Sequence, residues 1–139
     1  MALQVYFVLN GNAREAIDFY SGVFSSEAKV MTFGEAPQQP DYQLPEEAKD
    51  RVMHGHLEIE GNKVMFSDTF PGQPYTVGSN ITLAIVTEDR EKLQTYYDQL
   101  KEGGQVVMEL QETFWSKAYG QVTDKFGVEW QLNLGDGGM

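Results

Sequence analysis

Residues Glu109–Asn133 read ELQETFWSKAYGQVTDKFGVEWQLN, a pattern that predicts a strand, a loop with two large aromatic residues, and two strands joined at a glycine turn. The closing run, VTDKFGVEWQLN, has a counterpart at residues 56–68, which read HLEIEGNKVMFSD. This correspondence is the first sign that the chain contains one structural motif twice.

The first halves of the two copies correspond as well. A shift of about 76 positions places Val5, Phe7 and Leu9 of the first strand on Ile81, Leu83 and Ile85. The same shift places Ile17 and Tyr20 of the first helix on Leu93 and Tyr96. Each copy therefore reads as a strand, a helix and three strands. The sequence predicts an α+β fold of two βαβββ modules, about 1–75 and 76–139, in a single domain. We expect a curved mixed sheet with the helices outside and a concave cup inside.

Helix signals follow the first strand of each copy. Asn12, three residues before Glu15, predicts a capping box, and Thr87-Glu88-Asp89 predicts a cap for the second helix. Gly103-Gly104 marks the end of that helix. Apolar residues at helical spacing predict two buried stripes, which are Ala13, Ala16, Ile17, Tyr20 and Phe24 in the first helix and Leu93, Tyr96, Tyr97 and Leu100 in the second.

A β-hairpin is predicted in the first module, with strands His54–Ile59 and Val64–Asp68 joined at a Gly61-Asn62 turn. Because side chains alternate along a strand, one face of this hairpin is apolar and should contact the helix. The other face is polar, so it is either a solvated surface or the lining of a cavity. The polar face comprises His54, His56, Glu58, Met65 and Ser67.

Three segments read as irregular structure. Gly34–Asp50 contains three prolines and several acidic residues, which predicts a long loop that is either a lid over a site or an inert insertion. Thr69–Asn80 reads as the linker between the modules. The glycine-rich end, Gly135–Met139, predicts a frayed tail.

Composition excludes several classes of protein. The net charge of −11 argues against binding to nucleic acid or to an anionic membrane surface. The chain has no cysteine, which rules out disulfides and thiolate chemistry. No apolar run approaches membrane-spanning length, and no basic region precedes the first apolar stretch, so we expect a cytoplasmic protein.

Three stretches, in this order, resemble the PhnB-like branch of the glyoxalase / bleomycin-resistance / dioxygenase group, the vicinal oxygen chelate superfamily. They are GNAREAIDFY at 11–20, the segment from His54 to Ser67-Asp68, and ETFWSKAYGQVTDKFGVEW at 112–130. The resemblance covers nearly the whole chain. It implies a cup in each module, a small-molecule ligand and a homodimer. It also implies that enzymes of the group hold a divalent metal with side chains from the first and last strands of each module.

The residues at the implied metal positions depart from that pattern. The repeat places Tyr6 and Thr82 on the first strands and Met65 and Gln131 on the last strands. Divalent cations prefer imidazole and carboxylate ligands, so the standard metal ligands are missing here. PhnB-like sequences are sometimes labelled as ubiquinone-related methyltransferases, but the chain has no glycine-rich loop of the GxGxxG type.

The first hypothesis is therefore a small-molecule-binding protein with no cofactor and with its ligand in the concave cup. A divalent metal belongs to the alternative, a lyase, isomerase or dioxygenase with a displaced site on His54, His56 and Glu58, in which His54 or Glu109 is the catalytic candidate. A drug-sequestering resistance-type protein is a further alternative. The simplest interpretation of His54, His56, Glu58 and Glu109 is that they are solvated strand residues without a function in binding or catalysis. Glu112 is a further candidate for a catalytic carboxylate. The predicted ligand-binding residues are Tyr6, His54, His56, Glu58, Ser67, Trp115, Tyr119 and Gln131, with Phe114 and Asn133 as further candidates.

Overall fold

The fold was analysed in a computed structural model that describes residues 2–38 and 41–135. Two α-helices and eight β-strands follow one another in the predicted order. The first module contains β1 (Val5–Leu9), α1 (Ala13–Phe24), β2 (Lys29–Thr32), β3 (Val52–Ile59) and β4 (Asn62–Asp68). The second contains β5 (Leu83–Thr87), α2 (Arg90–Leu100), β6 (Gln105–Gln111), β7 (Tyr119–Thr123) and β8 (Glu129–Leu134).

The structure confirms an α+β fold built from two βαβββ modules. The chain divides into two compact units, one ending at Thr76 and the other beginning at Val77. Each unit has its own four-stranded mixed sheet, with strand order β1-β4-β3-β2 in module one and β5-β8-β7-β6 in module two. In both sheets the first strand pairs parallel with the last, and the other pairs are antiparallel. That the modules form a single domain remains a prediction.

Each helix buries its predicted stripe. In module one Ile17 and Tyr20 are buried, and the Tyr20 ring stacks on Phe66 of β4 with 5.8 Å between ring centroids. In module two Leu93 and Leu100 of α2 are buried, and the same core contains Trp130 and Leu132 of β8 and Val122 of β7. The helix occupies one face of each sheet, and the opposite face is the one available for a site.

Three predicted details are wrong. The hairpin turn of module one is Glu60-Gly61 and not Gly61-Asn62, because Ile59 pairs with Asn62 and both turn residues have positive φ. This geometry is that of a type I′ turn. The first strand of module two begins at Leu83, and Ile81 is exposed. The capping box at Asn12 is absent, because its side chain makes no capping hydrogen bond.

Helix α1 is capped instead by a residue from the end of β4. The Asp68 Oδ1 atom accepts hydrogen bonds from the Gly11 and Ala13 backbone N–H groups at 2.8 and 3.0 Å. Helix α2 is capped locally, as predicted, because Asp89 Oδ1 accepts from the Lys92 N–H at 3.1 Å. The N–H groups at the start of the helix are therefore bonded to a distant side chain in module one and to a local side chain in module two.

This difference predicts opposite results for two similar substitutions. Asp89→Ala removes a side-chain cap and should lower the free energy of unfolding by about 1 kcal/mol. Asn12→Ala removes no capping bond and should leave it unchanged within about 0.5 kcal/mol. Urea denaturation of both variants measures the difference, and an equal loss in both would contradict the assignment of the caps.

The irregular segments are partly described. Gly34–Asp50 contains a short 3₁₀ helix, Glu46–Ala48, in which Ala48 is fully buried. Residues 39–40 of this segment and residues 136–139 of the predicted tail lie outside the described residues. Whether Gly34–Asp50 is a lid stays a prediction. No helix in the described part of the chain is long and apolar enough to cross a membrane.

Candidate functional site

The face of the first sheet opposite α1 gathers five of the predicted ligand-binding residues. Strand pairing places Tyr6 beside Met65, Met65 opposite His56, and His56 opposite Lys29. Parallel to this row, Val8 lies beside Ser67 and Met31 lies opposite His54. We call this surface the first open face, and it comprises Tyr6, Val8, Lys29, Met31, His54, His56, Glu58, Lys63, Met65 and Ser67.

Aromatic rings lie close together on the first open face. The Tyr6 and His54 rings are 6.1 Å apart between centroids, and the His54 and His56 rings are 6.0 Å apart. Tyr6 is 47% exposed and both histidines are half-buried, so the ring edges and faces remain accessible. Within the described residues, the side chains of Tyr6, His54, His56 and Ser67 form no hydrogen bond. Their donors and acceptors are therefore free for water or a ligand.

The electrostatic surroundings of His56 are dominated by positive charge. Burial lowers the pKa of the His56 imidazole below its usual value. Nearby positive charges lower this pKa further, in the order Lys63, His54 and Lys29. The Glu58 carboxylate acts in the opposite direction as the smallest contribution. Burial and the neighbouring lysines thus favour the neutral form of the His56 imidazole, which has one donor and one acceptor.

The donor set does not fit the divalent metal implied by the superfamily. Tyr6 lies beside Met65, and in module two Ala84 lies beside Gln131. The displaced site fits no better, because His54, His56 and Glu58 occupy alternate positions of one strand. Among residues 2–38 and 41–135, no three His, Asp or Glu side chains come together as a metal-binding group.

The second open face, on the sheet of module two opposite α2, contains a closed hydrogen-bond network. Tyr119 OH donates to Gln131 Oε1 at 2.7 Å and accepts from Gln121 Nε2 at 3.0 Å. Gln131 Nε2 in turn donates to Thr82 Oγ1 at 2.8 Å. The Tyr119 hydroxyl and the Gln131 side-chain amide are therefore engaged by neighbouring side chains of the same module.

Two further features border this network. The Trp115 ring lies edge-on to Tyr119 at 5.4 Å, and Trp115 is 44% exposed. Phe114 packs edge-on against Trp115 at 4.7 Å and is otherwise almost fully exposed. The predicted residues Trp115, Tyr119 and Gln131 are therefore brought together.

Asn133, a further candidate, lies on β8, and its Oδ1 atom is a buried acceptor that has no hydrogen-bond partner in the described part of the chain.

The two glutamate candidates lie on the edge strand β6 and one residue beyond its end. Glu109 is exposed on the edge strand β6, and its neighbour Met108 is the residue that pairs with Gln121. Glu112 lines a cavity of about 850 Å³ beside α2, together with Lys117 and Arg90. A second cavity, of about 670 Å³, is lined by residues of Gly34–Asp50 itself. Neither cavity is lined by a residue of the first open face.

The sequence-based interpretation missed Lys29, Lys63 and Gln121. Two of them could have been found from the sequence, because Lys63 lies two residues from Met65 and Gln121 lies two residues from Tyr119, which places each pair on one face of its strand. Lys29 could be placed only from the pairing of β2 with β3, which depends on non-local contacts.

Comparisons with known proteins agree with the resemblance read from the sequence. The family model described as 3-demethylubiquinone-9 3-methyltransferase matches residues 2–133. Protein YjdN of Escherichia coli (strain K12) is 32% identical over an alignment of 144 positions that covers 96% of this chain and 95% of that protein. A structure from Bacillus cereus, a putative 3-demethylubiquinone-9 3-methyltransferase called PhnB protein, is 27% identical with a TM-score of 0.77, over 97% of this chain and 100% of that one. The fosfomycin resistance protein FosX from Mesorhizobium loti shares the fold, with 11% identity and a TM-score of 0.61 over 98% and 92% of the two chains.

Proposed function

The chain belongs to the PhnB-like family of the vicinal oxygen chelate superfamily, and from this premise we propose that it binds a small molecule on the first open face without a metal. The ligand would occupy the cup of module one, in contact with Tyr6, His54, His56 and Ser67. The homodimer implied by the resemblance remains part of this proposal.

One observation carries the proposal, and it is the contrast between the two open faces. The polar side chains of the second open face are bonded to one another. On the first open face His54, His56 and Ser67 are half-buried and Tyr6 is exposed, and the hydrogen-bonding groups of these four side chains are free within the described structure. A surface with convergent polar groups beside an aromatic wall is what a small-molecule site requires. Solvation of a plain sheet surface does not require a histidine ring 6.1 Å from a tyrosine ring and 6.0 Å from a second histidine ring.

The residues suggest a division of roles. Tyr6 and His54 present ring surfaces on which a planar or apolar part of a ligand can stack. His56 and Ser67 offer hydrogen bonds to a polar part. Trp115, Tyr119 and Gln131 form an aromatic and amide surface of their own in module two, which we retain as a second predicted contact region.

The alternatives fare less well on chemical grounds. A metal-dependent lyase, isomerase or dioxygenase needs three converging ligands, and His54, His56 and Glu58 are spread along one strand. The methyltransferase named in the family description would need a site for a methyl donor, and the glycine-rich loop that often forms one is missing from this sequence. A binding function requires neither element.

A ligand screen observed by NMR tests the proposal directly. The chain has two histidines, so their ring signals report on the first open face without selective labelling. We expect compounds that bind to shift His54 and His56, and we expect Tyr6→Ala or His54→Ala to weaken binding about tenfold, or 1.4 kcal/mol. Val107→Ala is the control, because Val107 is an exposed apolar residue of β6 in module two. Binding that is equally weakened by Val107→Ala, or that leaves both histidine signals unmoved, would contradict the proposal.

A further inference from the structure

We propose that the ligand of the first open face carries a negatively charged oxygen group, a carboxylate or a phosphate, that binds between Lys29 and Lys63 over His56. This inference rests on the proposed function and specifies the chemical class of its ligand. It runs against the overall charge of the protein, which is −11 and would by itself favour a cationic ligand.

The first open face has the opposite sign to the chain as a whole. Among its strand residues, Lys29 and Lys63 are the cations and Glu58 is the one carboxylate, so its formal charge with neutral histidines is 2 − 1 = +1. The chain has 10 lysine and arginine residues against 21 aspartate and glutamate residues. A surface on which cations outnumber carboxylates is therefore a local exception in this protein.

Strand register brings the two lysines to the same imidazole. Lys29 lies directly opposite His56 across the β2–β3 pair. Lys63 lies opposite Glu58 across the β3–β4 pair, which makes it the diagonal neighbour of His56. Directly opposite residues have Cβ atoms about 5 Å apart, and diagonal neighbours are within reach of long side chains. Both ammonium groups can thus approach one group held above His56.

The chemistry of the surrounding groups suits an oxyanion. An ionised carboxylate or phosphate is an acceptor with several lone pairs, and each ammonium group offers up to three donors. The neutral His56 ring has one N–H, and the hydroxyl of Ser67 can donate as well. The lowered pKa of His56 is consistent with this view, since burial and then Lys63 disfavour a further positive charge there. A cationic ligand would meet the same repulsion.

Four benzene derivatives of similar size and different charge provide the test. Benzoate and phenyl phosphate are anionic, benzamide is neutral, and benzylammonium is cationic, while the ring in each can contact Tyr6 and His54. In titrations observed through the histidine signals, we expect the two anions to bind at least tenfold more tightly than the other two. Bound anion should also raise the pKa of His56, because an opposite charge favours the imidazolium form.

Variants separate a specific site from a general effect of charge. The double variant Lys29→Gln/Lys63→Gln should weaken binding of benzoate at least tenfold. The control Lys49→Gln/Lys101→Gln changes the net charge equally but lies off the first open face, and it should change binding less than twofold. Glu58→Gln removes the opposing carboxylate and should strengthen binding of benzoate about threefold.

The outcomes distinguish this inference from the proposed function. If benzamide or benzylammonium shifts the histidines as strongly as benzoate, the inference is wrong and the proposed function stands. If none of the four compounds, nor any compound of the wider screen, shifts either histidine, both are wrong. Equal weakening in the two double variants would show a general charge effect and would also overturn the inference.

Discussion

Asp68→Ala is expected to lower the free energy of unfolding by about 3–5 kcal/mol, because three backbone N–H groups, two of them in buried hydrogen bonds, lose their acceptor together. Small domains have total stabilities of about 5–15 kcal/mol, so this single change should remove a large part of the stability of the protein. No other side chain in the described part of module one accepts as many backbone hydrogen bonds.

The reason is the position of Asp68 at the end of β4. Its Oδ1 atom accepts from the N–H groups of Gly11 and Ala13 at 2.8 and 3.0 Å, and its Oδ2 atom accepts from the Val52 N–H at 2.9 Å. The side chain therefore joins the start of α1, the start of β3 and the end of β4. Asp68 is 6% exposed, so water cannot fully replace the lost bonds after truncation.

Chemical denaturation of the folded protein measures this effect. Asp68→Asn keeps the size of the side chain and one acceptor oxygen, so we expect it to lower the free energy of unfolding less than Asp68→Ala does. Asp50→Ala is the matched control, since it removes the same charge from an exposed position of the same module and should cost less than about 0.5 kcal/mol. A loss below 1 kcal/mol for Asp68→Ala would show that the three N–H groups find other partners.

The helix caps show where sequence reasoning succeeds and where it stops. The cap of α2 was predictable because Asp89 lies within three residues of the N–H that it binds. The cap of α1 was not, because Asp68 is 55 residues away from Ala13 in sequence. Asn12 supplied a plausible local signal, and tertiary structure replaced it with a better acceptor.

The repeat gives a second instance of the same limit. Helical positions correspond at a shift of 76, as Tyr20 and Tyr96 show, and both are buried. The first strands correspond at a shift of 78, because Val5 starts β1 and Leu83 starts β5. A shift that differs by two leaves every side chain on its predicted face, so the open faces were predicted correctly although the register was not.

The sequence predicted which side chains lie on the open face of the first sheet, but it did not predict the charge of that face. Alternation along β3 placed His54 and His56 on the face opposite α1, and the structure confirms this placement. The cationic character of that face was invisible, because the total charge is negative and Lys29 reaches it only through a non-local strand pair. Hydrogen-bond networks such as that of Tyr119 require distances that no sequence pattern contains.

Asp124→Ala is the counterpart in module two, and it should lower the free energy of unfolding by about 3–4 kcal/mol. The Asp124 carboxylate is 3% exposed and accepts from the backbone N–H groups of Phe126 and Val128 at 2.8 and 3.1 Å. It also accepts from the indole Nε1 of Trp130 at 2.8 Å. The substitution would remove the side-chain acceptor of the turn between β7 and β8 and the carboxylate to which the buried Trp130 indole donates.

Fluorescence follows the surroundings of Trp130, and a double-mutant cycle separates the contribution of the indole hydrogen bond from that of the turn. The chain has two tryptophans, so a Trp115→Phe background leaves the emission of Trp130 alone. We expect Asp124→Ala in that background to move the emission of Trp130, which is 2% exposed, to longer wavelength. A double-mutant cycle with Trp130→Phe should give a coupling of about 1.5–3 kcal/mol for the charged hydrogen bond, and the remainder belongs to the turn. Glu102→Ala, at an exposed position after α2, controls for the loss of charge. A coupling near zero would mean that the carboxylate stabilises module two through the backbone turn alone, and the indole bond would then be a consequence of the fold and not one of its supports.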